Sequence, residues 1–531
     1  MQRRNETFMP ERTRQFLSSR WGSVVCGVIT AVVTWCAWGS LNQIAAYHDE
    51  AAYLLQAGIF ASGRWTAAAR PLPEFFEQYH VLVTPVLASK YWPGHSLLMV
   101  PGVWLGLPGL VPVLLSGLAG ALCFALARRV AASPWVALVT WLFWTSAPGG
   151  LYWRASYFSE ITTSALWLVG WWALLDWYET GRRGALLALS ACIGWSAITR
   201  PLTALVYAIP AGVVVFRRCR VRRAWRDLGL ALAVGAVLLG LIPLWSARTT
   251  GDWRTTPYAL YARQYFPFTL AARPERALPP DMQRWVGPMN EMVRSYALAA
   301  VPVEFLRRIR RIGDDLWHGW RAVFLPFAIL AVFALPMEAT YAIGTMGLLV
   351  LSHLVFAHAA SWSLYYLEVH PVLAFLTALG LAVVARRVAP RPANARPIQV
   401  AALLLCCAAL WFAGLDLRAT RRALAQERAS QRAFAAVVHQ IPDRKAIVFV
   451  RYGPRHNVHA SLIVNEPDLM RARAWIVYDR GLDNTRLLAL APDRVPYVYD
   501  EATNTLTALP GRLPNSWSHD HFPTRASSFE P

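Results

Sequence analysis

The residues of this chain that could do chemistry stand at the ends of its long apolar runs. Asp49 and Glu50 are adjacent, directly after the first run, and Lys90 is one of only two lysines, the other being Lys445. Arg154, Glu160 and Arg200 sit at the edges of later runs, and Tyr365, Tyr366, Glu368 and His370 open a late one. His95 lies in the passage KYWPGHSLLM, residues 90–99. A carboxylate so placed can act as general base towards a hydroxyl. Arginine offers a phosphate two parallel donors, and lysine offers it a point charge. Asp49 and Glu50 are therefore the candidate catalytic carboxylates, and Lys90, Arg154 and Arg200 the candidate phosphate ligands. His95, Glu160, Tyr365, Tyr366 and His370 are expected to line the pocket.

Each of these residues also has a plain structural use. Asp49, ahead of Ala-Ala-Tyr-Leu-Leu, is a good helix cap, and Glu160 could cap the span it opens. Neighbouring residues point in different directions on a helix, so only one of Asp49 and Glu50 is expected to face a cavity. Lys90 and Arg154 could snorkel to lipid headgroups. Arg200 lies between two apolar runs with little room to do so, and must pair or bind a ligand. Tyrosines at span ends ordinarily form an aromatic belt. The histidines show no metal-ligand spacing along the chain; the residues specify no cofactor and leave a divalent metal as an option.

The elements that must position these groups are membrane spans. Of 531 residues 56% are apolar and only 16% charged, against about a quarter charged in soluble domains. Apolar runs near the length of a bilayer core occur at 22–41, 106–127, 133–150, 159–177, 185–200, 201–216, 227–246, 321–336, 339–357, 367–385 and 399–415, which predicts about eleven spans. The net charge of +21 does not indicate nucleic acid, because the arginines cluster at the ends of these runs. The seven cysteines form no disulfide or zinc pattern.

Charge sets the expected orientation. With residues 1–20 as an inner tail, the inner connections hold Arg128-Arg129, Arg182-Arg183, the run 217–226, the turn 336–339 and Arg386 through Arg396. Four of these five are arginine-rich, as the positive-inside rule requires. The outer connections are then 42–105, 149–158, 247–320 and 358–366, and all the candidate residues fall on that face. A transmembrane domain over 21–415 is followed by an outer segment, 416–531, whose AIVFVRY and RAWIVYD read as buried strands of a small α/β domain.

As an ensemble these motifs resemble the GT-C membrane glycosyltransferases, the class that includes protein O-mannosyltransferases and lipid A aminoarabinose transferases. The resemblance rests on HDEAAY at 48–53, Gly63-Arg64-Trp65, KYWPGHSLLM at 90–99, Glu160 opening a span, Thr199-Arg200-Pro201 and YYLEVHP at 365–371. It covers roughly 20–385, is strongest over 47–100, and is nearest to bacterial family-39-like transferases. It implies a multi-pass protein of the bacterial inner membrane. The implied reaction moves a hexosyl or pentosyl group from a polyprenyl-phosphate donor to a lipid, glycan or protein acceptor at the periplasmic face, usually with inversion. Asp49 would be the catalytic carboxylate, with Lys90 and Arg200 near the donor phosphate. Where the family has Lys-Pro-Pro, this chain reads Lys90-Tyr91-Trp92-Pro93-Gly94. The alternative is a transporter or flippase for a lipid-linked substrate, which would show inverted repeats and ionisable groups at midplane.

Overall fold

The computed structural model describes residues 11–265, 276, 280–355, 357–388, 395–457 and 459–509. The first ten residues of the expected inner tail, all of 266–279 but 276 in the outer loop 247–320, 356, 389–394, 458 and 510–531 lie outside them.

Among the described residues five helices are long and apolar enough to cross a membrane: Arg20–Trp38, Leu110–Ala131, Pro201–Arg222, Trp225–Thr250 and Ser363–Arg387. A sixth arises if Val301–Trp317 and Gly319–Ala334, bent by 105°, count as one broken span. The other expected spans coincide with helices of different form. The 133–150 run breaks after Thr145 and restarts at Pro148, where proline supplies a helix start. The 185–200 run forms Arg183–Ala197, which stops short of Arg200, and the next helix begins at Pro201.

Small residues set the helix packing. A Cβ on Gly27 would come within 2.9 Å of Ala121 Cβ and of the Gly117 carbonyl oxygen, so Arg20–Trp38 lies close against Leu110–Ala131. Large apolar side chains remain exposed on the outer helices, among them Val28, Val32, Leu232 and Val237. That is the surface expected where hydrocarbon is the solvent.

The C-terminal segment begins with the long helix Ala395–Glu427 and the helix Ala429–His439. A four-stranded sheet follows, in which Ala446–Arg451 is paired in parallel with Ala474–Tyr478 on one side and Val495–Asp500 on the other. Thr505–Ala508 adds an antiparallel edge. One face packs Val448, Val450 and Ile476 on Phe434, Ile441 and Leu462. The other face packs Ile447, Phe449 and Val477 on Leu469 and Leu487, and it is completed by Phe75 and Phe76 from the first outer loop. Arg70 of the same loop donates to the carbonyl of Glu466 at 2.6 Å. Segments nearly four hundred residues apart thus share one core.

Candidate active site

The first outer loop opens with the helix His48–Ala61, and its first turn separates the two adjacent acids. Glu50 is fully buried. Its carboxylate accepts the backbone N–H groups of Ala46 at 2.6 Å, Tyr47 at 3.3 Å and Tyr157 at 2.8 Å, and faces Arg428 at 3.5 Å. The helix start is therefore held by Glu50, and the catalytic role expected of Glu50 is corrected to a structural one: every lone pair that could meet substrate already binds the fold. Asp49, relieved of capping, has a side chain 28% exposed. Its Oδ1 accepts the Tyr91 hydroxyl, and its Oδ2 lies 3.1 Å from His48 Nε2 and 3.7 Å from His80 Nε2.

Lys90 is buried beside this carboxylate. Its ammonium lies 4.8–5.0 Å from the ring centres of Tyr91, Tyr258 and Tyr261, a cation–π box built by the outer loops 42–105 and 247–320 together. Burial lowers its pKa to about 8, with the charge of Asp49 working the other way. Burial likewise pushes His48 down to about 4 and His80 well below the usual histidine value.

Two stacked tyrosines carry the site towards Arg200. Tyr91 stacks on Tyr53 at 4.7 Å, and the Tyr53 hydroxyl donates to Ser159 Oγ at 3.0 Å. Ser159 Oγ in turn donates to Glu160 at 3.2 Å, and Arg200 pairs with Glu160 at 2.5 Å. The Arg200 guanidinium lies 5.0 Å from the Tyr365 ring. Arg200 is brought here by a close backbone approach: Gly94 N–H donates to the Ile198 carbonyl at 2.8 Å, and a Cβ on Gly94 would fall 2.3 Å from Thr199 Oγ1. The turn after Lys90 is thus docked onto the helix junction that holds Arg200, and only glycine fits.

Four other expected site residues serve the scaffold. Arg154 is fully buried, stacks 4.0 Å over Trp144, and donates to the carbonyls of Trp144 and Thr145 at 3.1 and 2.8 Å. It satisfies the orphan carbonyls where the Pro134–Thr145 helix ends, so its guanidinium is not directed at a phosphate. His95 is held between Thr162 Oγ1 at 2.8 Å and the Tyr157 carbonyl at 2.9 Å, with no exposed surface to line a pocket. The carbonyl requires the proton on Nε2, which leaves Nδ1 to accept from the threonine. His370 is buried 3.5 Å from Asp315. The Tyr366 hydroxyl is 3.1 Å from His358 Nε2, in an aromatic group with His353.

Sequence reading missed His48, His80, Tyr91 and His459. His459 comes from the loop after the first strand of the C-terminal sheet. Its ring stacks on His48 at 5.3 Å, and its carbonyl accepts the His48 backbone N–H at 3.1 Å. His80 adopts a positive φ of 62°, its N–H donating to the Tyr261 hydroxyl at 2.9 Å and its carbonyl accepting from Lys90 N at 2.9 Å. The one hint in the sequence was the departure at Tyr91-Trp92, since Tyr91 touches both Asp49 and Lys90.

Comparison with known proteins finds similarity to solved structures alone. No protein-family model matches the sequence, and no curated protein matches it. Among solved structures the chain is similar to ArnT from Cupriavidus metallidurans bound to undecaprenyl phosphate, at 18% identity, over 91% of this chain and 90% of that one, with a TM-score of 0.48. It is also similar to the oligosaccharyltransferase AglB from Archaeoglobus fulgidus, in complex with an inhibitory peptide and a dolichol-phosphate, at 14% identity and a TM-score of 0.44. That likeness spans 80% of this chain and 58% of AglB. The arabinosyltransferase EmbB from Mycobacterium smegmatis is similar at 13% identity over 83% of this chain and 43% of its own, with a TM-score of 0.45.

Proposed function

We propose that this protein is an integral-membrane glycosyltransferase that moves a sugar from a polyprenyl-phosphate donor to an acceptor hydroxyl at the extracytoplasmic face. The observation that carries the reading is the setting of Asp49. It is a partly exposed carboxylate, oriented by Tyr91, His48 and His80, with one buried cation beside it and a second, Arg200, reached through two stacked tyrosines. Departure of a lipid phosphate needs fixed positive charge, and an attacking hydroxyl needs somewhere to place its proton. Lys90 and Arg200 supply the first, Asp49 the second, and Tyr365 and Glu160 hold Arg200 in place. Of the segments expected outside, 42–105 supplies Asp49 and Lys90, 247–320 supplies Tyr258 and Tyr261, and 358–366 supplies Tyr365, with Ser159 and Glu160 just past 149–158, which supports a site at that membrane face. The C-terminal sheet is joined to the first loop through Phe75 and Phe76, and its loop brings His459 onto His48 beside Asp49.

The test is transfer of radiolabelled sugar from polyprenyl-phosphate donors in membranes containing the protein or its Asp49→Asn variant. Label should reach an acceptor fraction only with the unaltered protein. Full transfer by the variant removes Asp49 from the chemistry. Movement of labelled lipid between leaflets with no transfer by either form would establish a flippase instead.

A further inference from the structure

We propose that His48, Asp49 and His80 bind one divalent transition-metal ion at the mouth of this site. The two imidazoles come from separate segments, one from the first turn of the His48–Ala61 helix and one from the turn ahead of Val81, yet both direct Nε2 at the same carboxylate oxygen, 3.1 and 3.7 Å away. The three donor atoms lie within 4.8 Å of one another. The rings meet edge to face, 4.5 Å apart at 63°, which lets their lone pairs converge without stacking.

Two nitrogens and one carboxylate suit zinc, manganese, iron(II) or cobalt better than magnesium or calcium, which take all-oxygen shells. Three protein ligands leave coordination positions open, as in catalytic metal sites. The openings would face the exposed side of Asp49, since the histidine side chains are only 3% and 7% exposed and that of Asp49 is 28% exposed. The outer contacts are those that hold metal ligands in place. Tyr91 hydrogen-bonds the second carboxylate oxygen, the His459 carbonyl anchors His48, and Tyr261 with Lys90 holds the backbone of His80 in its left-handed conformation. A left-handed backbone is rare for a residue other than glycine, and the ring position it sets is the one that reaches Asp49. An ion held at Oδ2 would receive the acceptor oxygen or a donor phosphate oxygen, and Oδ1 of Asp49 would remain to take the hydroxyl proton. That consequence rests on the transfer reading above; the presence of the ion does not.

The experiment uses the full chain purified in detergent, with metal content measured as isolated. The protein is then depleted by chelator and titrated with Co(II), whose visible absorption reports nitrogen and carboxylate ligation. About one equivalent per chain is expected in the unaltered protein, and about a tenth of that or less in His80→Gln and Asp49→Asn. Thermal unfolding checks that each variant is folded. If His80→Gln does not fold, Asp49→Asn decides alone, because that side chain is partly exposed. Equal cobalt binding by the unaltered protein and the variants overturns the proposal, as does the absence of any bound ion in the unaltered protein. No ion together with loss of sugar transfer in Asp49→Asn would overturn the metal and leave the transfer reading standing. One ion per chain in a protein that transfers no sugar would do the reverse.

Discussion

Asp49 and Glu50 are chemically alike and adjacent, so exchanging each for its amide separates the site from the scaffold. Glu50→Gln replaces a carboxylate that has no exposure, three backbone donors at 2.6, 2.8 and 3.3 Å, and Arg428 at 3.5 Å. An amide keeps the volume but loses the charge that balances Arg428, itself almost fully buried. Removing one member of a buried pair costs about 3–5 kcal/mol. The same change frees the first turn of the helix that carries Asp49. Asp49→Asn can still accept the Tyr91 hydroxyl and is partly exposed, so its effect on stability stays within about 1 kcal/mol. Its effect on turnover is about a hundred- to ten-thousandfold, the range for loss of a general base. The two measurements are the thermal midpoint in detergent and sugar transfer well below that midpoint. Glu50→Gln should lower the midpoint and keep measurable transfer, while Asp49→Asn should keep the midpoint and lose transfer. The opposite pattern, a stable inactive Glu50→Gln beside an unstable active Asp49→Asn, would refute the division of labour.

Lys90→Met should raise the donor KM by roughly ten- to a hundredfold, the equivalent of one charge-assisted hydrogen bond of about 1.5–3 kcal/mol, and Lys90→Arg should recover part of it. An unchanged donor KM in Lys90→Met would take the phosphate away from this residue. Glu160→Gln leaves Arg200 without its 2.5 Å partner and should destabilise by about 3 kcal/mol, with partial rescue in the double variant Glu160→Gln, Arg200→Met, read by thermal unfolding. Phe75→Ala opens the core shared by the first loop and the C-terminal sheet; a cost of about 3–5 kcal/mol is expected, with protease cleavage within 440–500 as the readout. His459→Ala removes the ring on His48 but not the carbonyl that anchors it, so folding should persist while transfer falls; unaltered transfer would confine the C-terminal loop to a structural role.

The membrane character, the strands of the C-terminal segment and the supply of ionisable groups between Tyr47 and Met99 were legible in one dimension. They depend on run length, alternation and the rarity of ionisable groups near apolar runs, all of which are local properties. Asp49, Lys90, Glu160, Arg200 and Tyr365 were found that way and do meet in one cluster. Arg154, His95, Tyr366 and His370 were found by the same rule and do not line it. An ionisable side chain at a span end must be satisfied, and the local sequence does not say whether a ligand or a carbonyl satisfies it. In Arg154 it is the end of the preceding helix; in His95 it is a threonine and a backbone oxygen.

The sequence by itself determined the solvent each segment would accept and the supply of charged groups at the span ends. Tertiary structure alone decided which of two adjacent carboxylates caps and which is open, because that depends on Tyr157 and Arg428 arriving from far along the chain. It also decided that His80 and His459 converge on His48 and Asp49, with no periodicity to announce them. The physical reason is that burial and hydrogen-bond partnership belong to pairs of groups, and most of these pairs are remote in sequence.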